Sequence, residues 1–98
     1  TEFRKGLQEA ARVARPGAAL FVYTFSRNTF TKEVMPIDGE PFVFTEFSGR
    51  PQCFLTEQQL IDELDAAGFA QEPGIPITEY ERIPAGKPAI FEGIFRRR

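Results

Sequence analysis

Histidine is absent from this chain, and cysteine occurs once, at Cys53. Without histidine, no Ser-His or Cys-His catalytic arrangement can be completed within the chain, and most zinc sites are excluded, so no metal is expected. A single cysteine rules out an internal disulfide. A reducing compartment is then the default, and a cytoplasmic location is expected. Long apolar runs are missing too. None approaches the roughly 18 residues needed to cross a bilayer, and no signal peptide is visible, so no membrane partner is expected. An excess of positive charge is also lacking. The net charge of -2 gives no field that would attract a nucleic-acid backbone, and no nucleic-acid partner is expected. The one methionine is Met35, while the first residue is Thr1. Cleavage of a precursor would explain that start, and a piece of a longer protein explains it at least as well.

What is present points to a packed fold. The chain has 98 residues, 42% of them hydrophobic and 11 of them phenylalanine. That length suits one small domain, and the aromatic content argues for a core rather than disorder. A chain of this size buries only about 60–65% of the surface its unfolded form exposes, so its stability is expected to be marginal.

Hydrophobic spacing predicts the elements. Phe3, Leu7, Ala10 and Ala14 form one apolar stripe, which predicts a helix over Glu2 to Ala14, with Thr1 as candidate N-cap. Pro16-Gly17 stops it. The run from Ala18 to Phe25 is apolar on both faces and predicts a central strand covered on both sides. Ser26 to Phe54 reads as a long irregular connection. Within it, Phe42 to Phe47 could form a short strand with Phe42, Phe44 and Glu46 on one face. Such a long connection is usually functional or disordered. Thr56 with Gln59 makes a capping box, and Leu55 with Leu60 a hydrophobic staple. Leu60, Ile61, Leu64 and Ala67 give the buried face of that second helix. Gly68 suits the left-handed position that ends it, and Phe69 can fold back onto Leu64. Two strands follow, Ile75 to Ile83 and Ala89 to Phe95, joined by Pro84-Ala85-Gly86-Lys87-Pro88 as an antiparallel pair. Arg96-Arg97-Arg98 reads as a solvated chain end. The predicted fold class is α/β, in the order helix, strand, long loop, helix, antiparallel strand pair. A strand buried on both faces also wants neighbours on both edges, and this chain has few to supply them.

The run from Leu7 to Leu20, with Arg12-Val13-Ala14-Arg15-Pro16-Gly17 at its centre, resembles a segment of class I S-adenosylmethionine-dependent methyltransferases of the type 11/25-like kind. There a helix ends in Arg-Val-Leu-Arg-Pro-Gly-Gly and feeds the fifth strand. Here Ala14 and Ala18 stand in place of Leu and Gly. Leu55-Thr56-Glu57-Gln58-Gln59-Leu60 and Ala66-Ala67-Gly68-Phe69 resemble the family's next helix. The two closing strands resemble its sixth and seventh, the seventh running antiparallel to the others. The resemblance covers nearly the whole chain outside the Ser26 to Cys53 loop. It implies that residues 1–98 are a partial domain, the C-terminal portion of a Rossmann-like methyltransferase sheet. The half that holds the cofactor, with its Gly-rich turn and acidic residue, has no counterpart here. No cofactor-binding residue is therefore carried over.

In open α/β sheets, ligands bind beyond the carboxyl ends of the strands. The resemblance implies that the loop leaving Phe25 contacts a small-molecule methyl acceptor. Candidate substrate-binding residues are Tyr23, Ser26, Arg27 and Asn28 as lining, with Phe42, Phe44, Phe47 and Cys53 as cover. Packing of a small subdomain is the competing role for the phenylalanines. The implied reaction is methyl transfer from S-adenosylmethionine, driven largely by positioning and exclusion of water. A catalytic residue is not identified. Asp38, Glu40 and Glu46 are the loop carboxylates that could act as a base, and surface solubility is the competing role for each. Cys53 lacks a histidine to activate it and reads as a small apolar residue. The chain alone is expected to be inactive. Alternatives are a non-catalytic methyltransferase-like binding or interaction domain, and the C-terminal half of another nucleotide-binding α/β enzyme. The isolated chain could also dimerise through an open strand edge.

Overall fold

The computed structural model describes residues 2–30, 34–37, 41–47, 49–80 and 88–98. Helix α1 (Glu2–Val13) ends at Pro16-Gly17, where Gly17 takes a φ of 85° that a side chain would resist. The chain then enters strand β1 (Ala19–Ser26), followed by one 3-10 turn (Arg27–Thr29). Strands β2 (Val43–Phe44) and β3 (Gln52–Leu55) come next, then helix α2 (Glu57–Ala66). Strands β4 (Phe69–Gln71), β5 (Thr78–Tyr80) and β6 (Ile90–Arg97) complete the described elements. The result is a mixed α/β domain. The candidate N-cap Thr1 and the connecting turn Pro84 to Lys87 lie outside the described residues.

One sheet runs in the order β2-β3-β1-β6-β4, with β5 also pairing β6. Antiparallel pairing of β1 with β6 extends from Ala19 opposite Arg96 to Phe25 opposite Ile90. β3 lies parallel to β1 and meets it only at Phe25–Phe54 and Ser26–Leu55. β4 and β5 occupy successive stretches of the far edge of β6, both antiparallel to it. β6 therefore runs against β1, β3, β4 and β5, which share one direction.

Both helices pack on one face of this sheet. Leu7 of α1 and Leu60 and Leu64 of α2 share a core with Val22, Phe69, Phe91 and Phe95. Phe95 and Leu64 are fully buried, each burial being worth about 1.5–3 kcal/mol. α2 begins as its sequence predicts. Thr56 Oγ1 accepts from Gln59 N at 3.1 Å, and Gln59 Oε1 accepts from Thr56 N at 2.9 Å. Leu55 and Phe69 join the same core.

The opposite face differs from the expectation of a strand covered on both sides. Cross-strand partners share a face, so Phe21, Tyr23, Ile94 and Ile90 lie together there. Phe21 and Tyr23 are 66% and 68% exposed, and Tyr80 beside Ile90 is 52% exposed. An apolar sequence reports what a strand can bury, and among the described residues no helix supplies a second layer. Among the described residues, only the carboxyl end of this face is covered. There Val34, Phe44 and Phe54 form a second core with Phe25, Phe30 and Phe47. Phe25 and Phe54 stack with ring centroids 5.2 Å apart.

Four further differences have physical causes. The strand expected at Phe42 to Phe47 contracts to Val43–Phe44, and its phenylalanines separate: Phe42 joins the helix-side core and Phe44 the second one. The strand expected from Ile75 to Ile83 is Thr78–Tyr80. Ile77 still packs on the core, while Ile75 is exposed and Ile83 lies outside the described residues. β3 and β4 were not expected as strands at all. Finally, the basic tail is solvated only in part: Arg96 and Arg98 are exposed and Arg97 is half-buried. Arg96 and Arg97 extend β6, and Arg97 Nε donates to Ala11 O at 3.1 Å and Nη1 to Gly68 O at 3.3 Å. Arg96 pairs with Glu72 at 2.7 Å and Arg98 with Asp65 at 2.8 Å. Helix-end carbonyls and nearby carboxylates give each guanidinium a partner.

Candidate functional site

The carboxyl end of β1 gathers a hydrogen-bonded group. Ser26 is fully buried and caps the 3-10 turn, its Oγ accepting from Asn28 N at 3.1 Å. Its hydroxyl donates to the Glu79 carboxylate. Asn28 Nδ2 donates to both oxygens of Glu79, at 3.2 and 2.9 Å. Below them, buried Thr29 donates through Oγ1 to Ser26 O at 2.7 Å and accepts from Ala89 N at 2.9 Å. This bond ties the turn to the start of β6. Ser26 N also donates to Ala89 O at 2.8 Å. Glu79 sits opposite Phe91 in β5, so the group lies on the helix side of the sheet. Among the described residues no cation pairs with Glu79. Its charge is held by a neutral amide and a hydroxyl, and hydrogen bonds to a charged acceptor are the stronger kind.

A cleft of about 340 Å³ lies nearby, lined by Tyr23, Thr24, Phe25, Gln52, Cys53 and Ile90. Tyr23, Phe25 and Ile90 belong to the face that the helices leave bare. The cleft and the Ser26–Asn28–Glu79 group thus share one end of β1 but occupy opposite faces of the sheet. Tyr23 and Cys53 are at the cleft, and Ser26 and Asn28 are at the polar group. Arg27 lies between the turn and the second core. Its guanidinium is 4.9 Å from the Phe44 ring centroid, and Nη2 donates to Val34 O at 3.3 Å. Phe44 and Phe47 pack against Phe54, with centroids 6.3 and 5.8 Å away. Phe42 is elsewhere, against Phe3 at 5.8 Å and Arg4 at 5.4 Å, so it braces α1 rather than covering the cleft.

Of the loop carboxylates, Glu46 is exposed and accepts from Thr45 N at 3.2 Å. Asp38 and Glu40 lie outside the described residues. The carboxylate that reaches the site is Glu79, which sequence reasoning missed. It comes from a strand 53 residues beyond Ser26, and its neighbours carry no motif. Thr29, Gln52 and Ile90 were likewise unmarked. On the bare face, the hydrogen bond to Glu92 and that residue's charge hold the Tyr80 hydroxyl above its ordinary pKa. Among the described residues no group of three His, Cys, Asp or Glu could hold a metal. The turn after β1 is Ser26-Arg27-Asn28-Thr29, without glycine. It offers no backbone cradle for a nucleoside cofactor, so the described residues do not by themselves fit S-adenosylmethionine.

No protein-family model matches this chain, and neither a curated protein nor a solved structure matches it significantly.

Proposed function

We propose that this chain is the acceptor-side half of a class I S-adenosylmethionine-dependent methyltransferase acting on a small molecule. The observation that carries the reading is the direction of β6, the long strand that runs against β1, β3, β4 and β5, a direction shared only by the two-residue β2 among the described strands. That is the strand pattern implied by the resemblance of the Arg15-Pro16-Gly17 helix stop and the Ala67-Gly68-Phe69 helix end. The bare face agrees with it, since a sheet with both helices on one side has room for a second layer. The cofactor supplies the methyl group when bound, and the residues that hold it belong outside this chain.

The work of this chain is then to position and shelter the acceptor. Glu79, held by Asn28 and Ser26, presents a fixed carboxylate at the ligand-binding end of β1. It would orient an N–H or O–H of the acceptor. Tyr23, Phe25, Cys53 and Ile90 line the cleft on the opposite face, so only an acceptor long enough to pass the carboxyl end of β1 would be sheltered there as well. Transfer of a methyl-tritium label from S-adenosylmethionine to a panel of hydroxyl and amine acceptors tests this, using the product of the coding sequence extended upstream in frame. Label transfer is expected, with Glu79→Gln and Asn28→Ala raising the acceptor KM. No transfer by the longer product, or unchanged KM in both variants, would sink it. The open edge of β1 favours a second reading, a non-catalytic module that binds a partner.

A further inference from the structure

Among the described residues, strand β1 has one edge fully paired and the other nearly empty. Arg97 N donates to Ala18 O at 2.9 Å, and Ser26 N donates to Ala89 O at 2.8 Å. The even-numbered residues of β1 therefore turn their backbone groups toward β6. Alternation in an antiparallel ladder turns those of Ala19, Phe21 and Tyr23 the other way. On that side β3 begins only at Phe25. Among the described residues, the N–H and C=O groups of Ala19, Phe21 and Tyr23 have no ladder partner.

Folded proteins usually guard such an edge with a charge, a proline, a bulge or a covering element. From Ala18 to Ser26 the sequence holds no charged residue, no proline and no glycine. The side chains beside the edge are the exposed Phe21 and Tyr23. The free stretch is also symmetric, with Phe21 at its centre and Ala19 and Tyr23 at equal spacing on either side.

We propose that the 98-residue chain forms a two-fold dimer by antiparallel pairing of β1 with β1 of a second copy, centred on Phe21. In that register Phe21 faces the partner's Phe21, and Ala19 faces the partner's Tyr23. Every outward N–H then meets an outward C=O, and the two sheets become one. The bare faces join on the same side, bringing Ile94, Phe21, the partner's Phe21 and the partner's Ile94 into one row. Charge favours the antiparallel arrangement. Arg96 lies beside Ala19, and Glu92 lies beside Tyr23 on the same face. A two-fold copy turns the Arg96 end of one sheet, where Arg96 already pairs with Glu72, toward the partner's Glu92 end, whereas a parallel copy would set like ends together. A second copy is the occupant because the edge is complementary to itself in register, in charge and in apolar character. The inference needs only the open edge and does not depend on the methyl-transfer reading.

Sedimentation velocity across the micromolar range tests the proposal. Wild type is expected to shift from monomer to dimer with concentration. Phe21→Lys sets two like charges face to face at the axis and is expected to weaken association about tenfold or more. Because Phe21 is already 66% exposed, the far-UV circular dichroism of that variant should match wild type. The register is tested in a Cys53→Ser background. Phe21→Cys is expected to form an intermolecular disulfide on mild oxidation, and Tyr23→Cys is not. A wild-type chain that stays monomeric at high micromolar concentration overturns the proposal and leaves the edge to a strand of another polypeptide. Equal cross-linking at positions 21 and 23 overturns the register.

Discussion

Replacing Thr29 with valine tests how the turn after β1 is held. Thr29 is 2% exposed, and its one hydroxyl serves both Ser26 O at 2.7 Å and Ala89 N at 2.9 Å. Valine keeps the shape and removes both bonds. It leaves a buried acceptor on Ser26 and a buried donor on Ala89, residues that are 0% and 3% exposed. An unsatisfied buried polar group costs about 1–3 kcal/mol, so Thr29→Val should cost about 2–4 kcal/mol. In a domain whose total stability is about 5–15 kcal/mol, that is a large share. Thr29→Ser keeps the hydroxyl and loses one methyl, for about 1 kcal/mol. Urea titration followed by circular dichroism measures both. With a slope near 2 kcal/mol/M, Thr29→Val should lower the midpoint by about 1–2 M. Amide exchange should quicken at Ala89 in the valine variant and not in the serine one. A valine variant within about 0.5 kcal/mol of wild type, the range of an ordinary surface change, would refute the reasoning. So would a serine variant as unstable as the valine one.

Two other perturbations probe separate parts of the fold. Thr56→Ala should cost about 1 kcal/mol in the same titration. Adding Gln59→Ala should cost less than the sum of the two single changes, because both residues belong to one capping box; strict additivity would contradict the reciprocal bond. The Tyr80 hydroxyl is raised above its ordinary value by its hydrogen bond to Glu92. A group bound more tightly to its proton when folded contributes stability below the unfolded pKa of about 10, and that stability is lost as pH rises through the folded value. In a Tyr23→Phe background, phenolate absorbance should therefore titrate above pH 10 or so, and Glu92→Gln should lower the midpoint. An unmoved midpoint would remove Glu92 as the cause.

Elements built from local chemistry were legible in the sequence. α2 was read from Thr56, Gln59 and Gly68 because a cap needs only its own neighbours. β1 was found by its apolar run, but its cover was not, since composition does not say which face a helix takes. β3 and β4 were hidden because Gln52–Leu55 and Phe69–Gln71 are short and become strands only by pairing with β1 and β6. The site was half legible. Ser26 and Asn28 follow from their place after a strand, whereas Glu79 depends on contacts across 51 and 53 residues. Arg97 was misread for the same reason. Its partners, Ala11 O and Gly68 O, lie 86 and 29 residues away in sequence.

The central claim is tested most directly by calorimetric titration of S-adenosylmethionine into the in-frame product extended upstream, with the 98-residue chain run in parallel. The account predicts saturable binding to the longer product and none to the chain alone. No binding to the longer product, or equal binding to both, would contradict it.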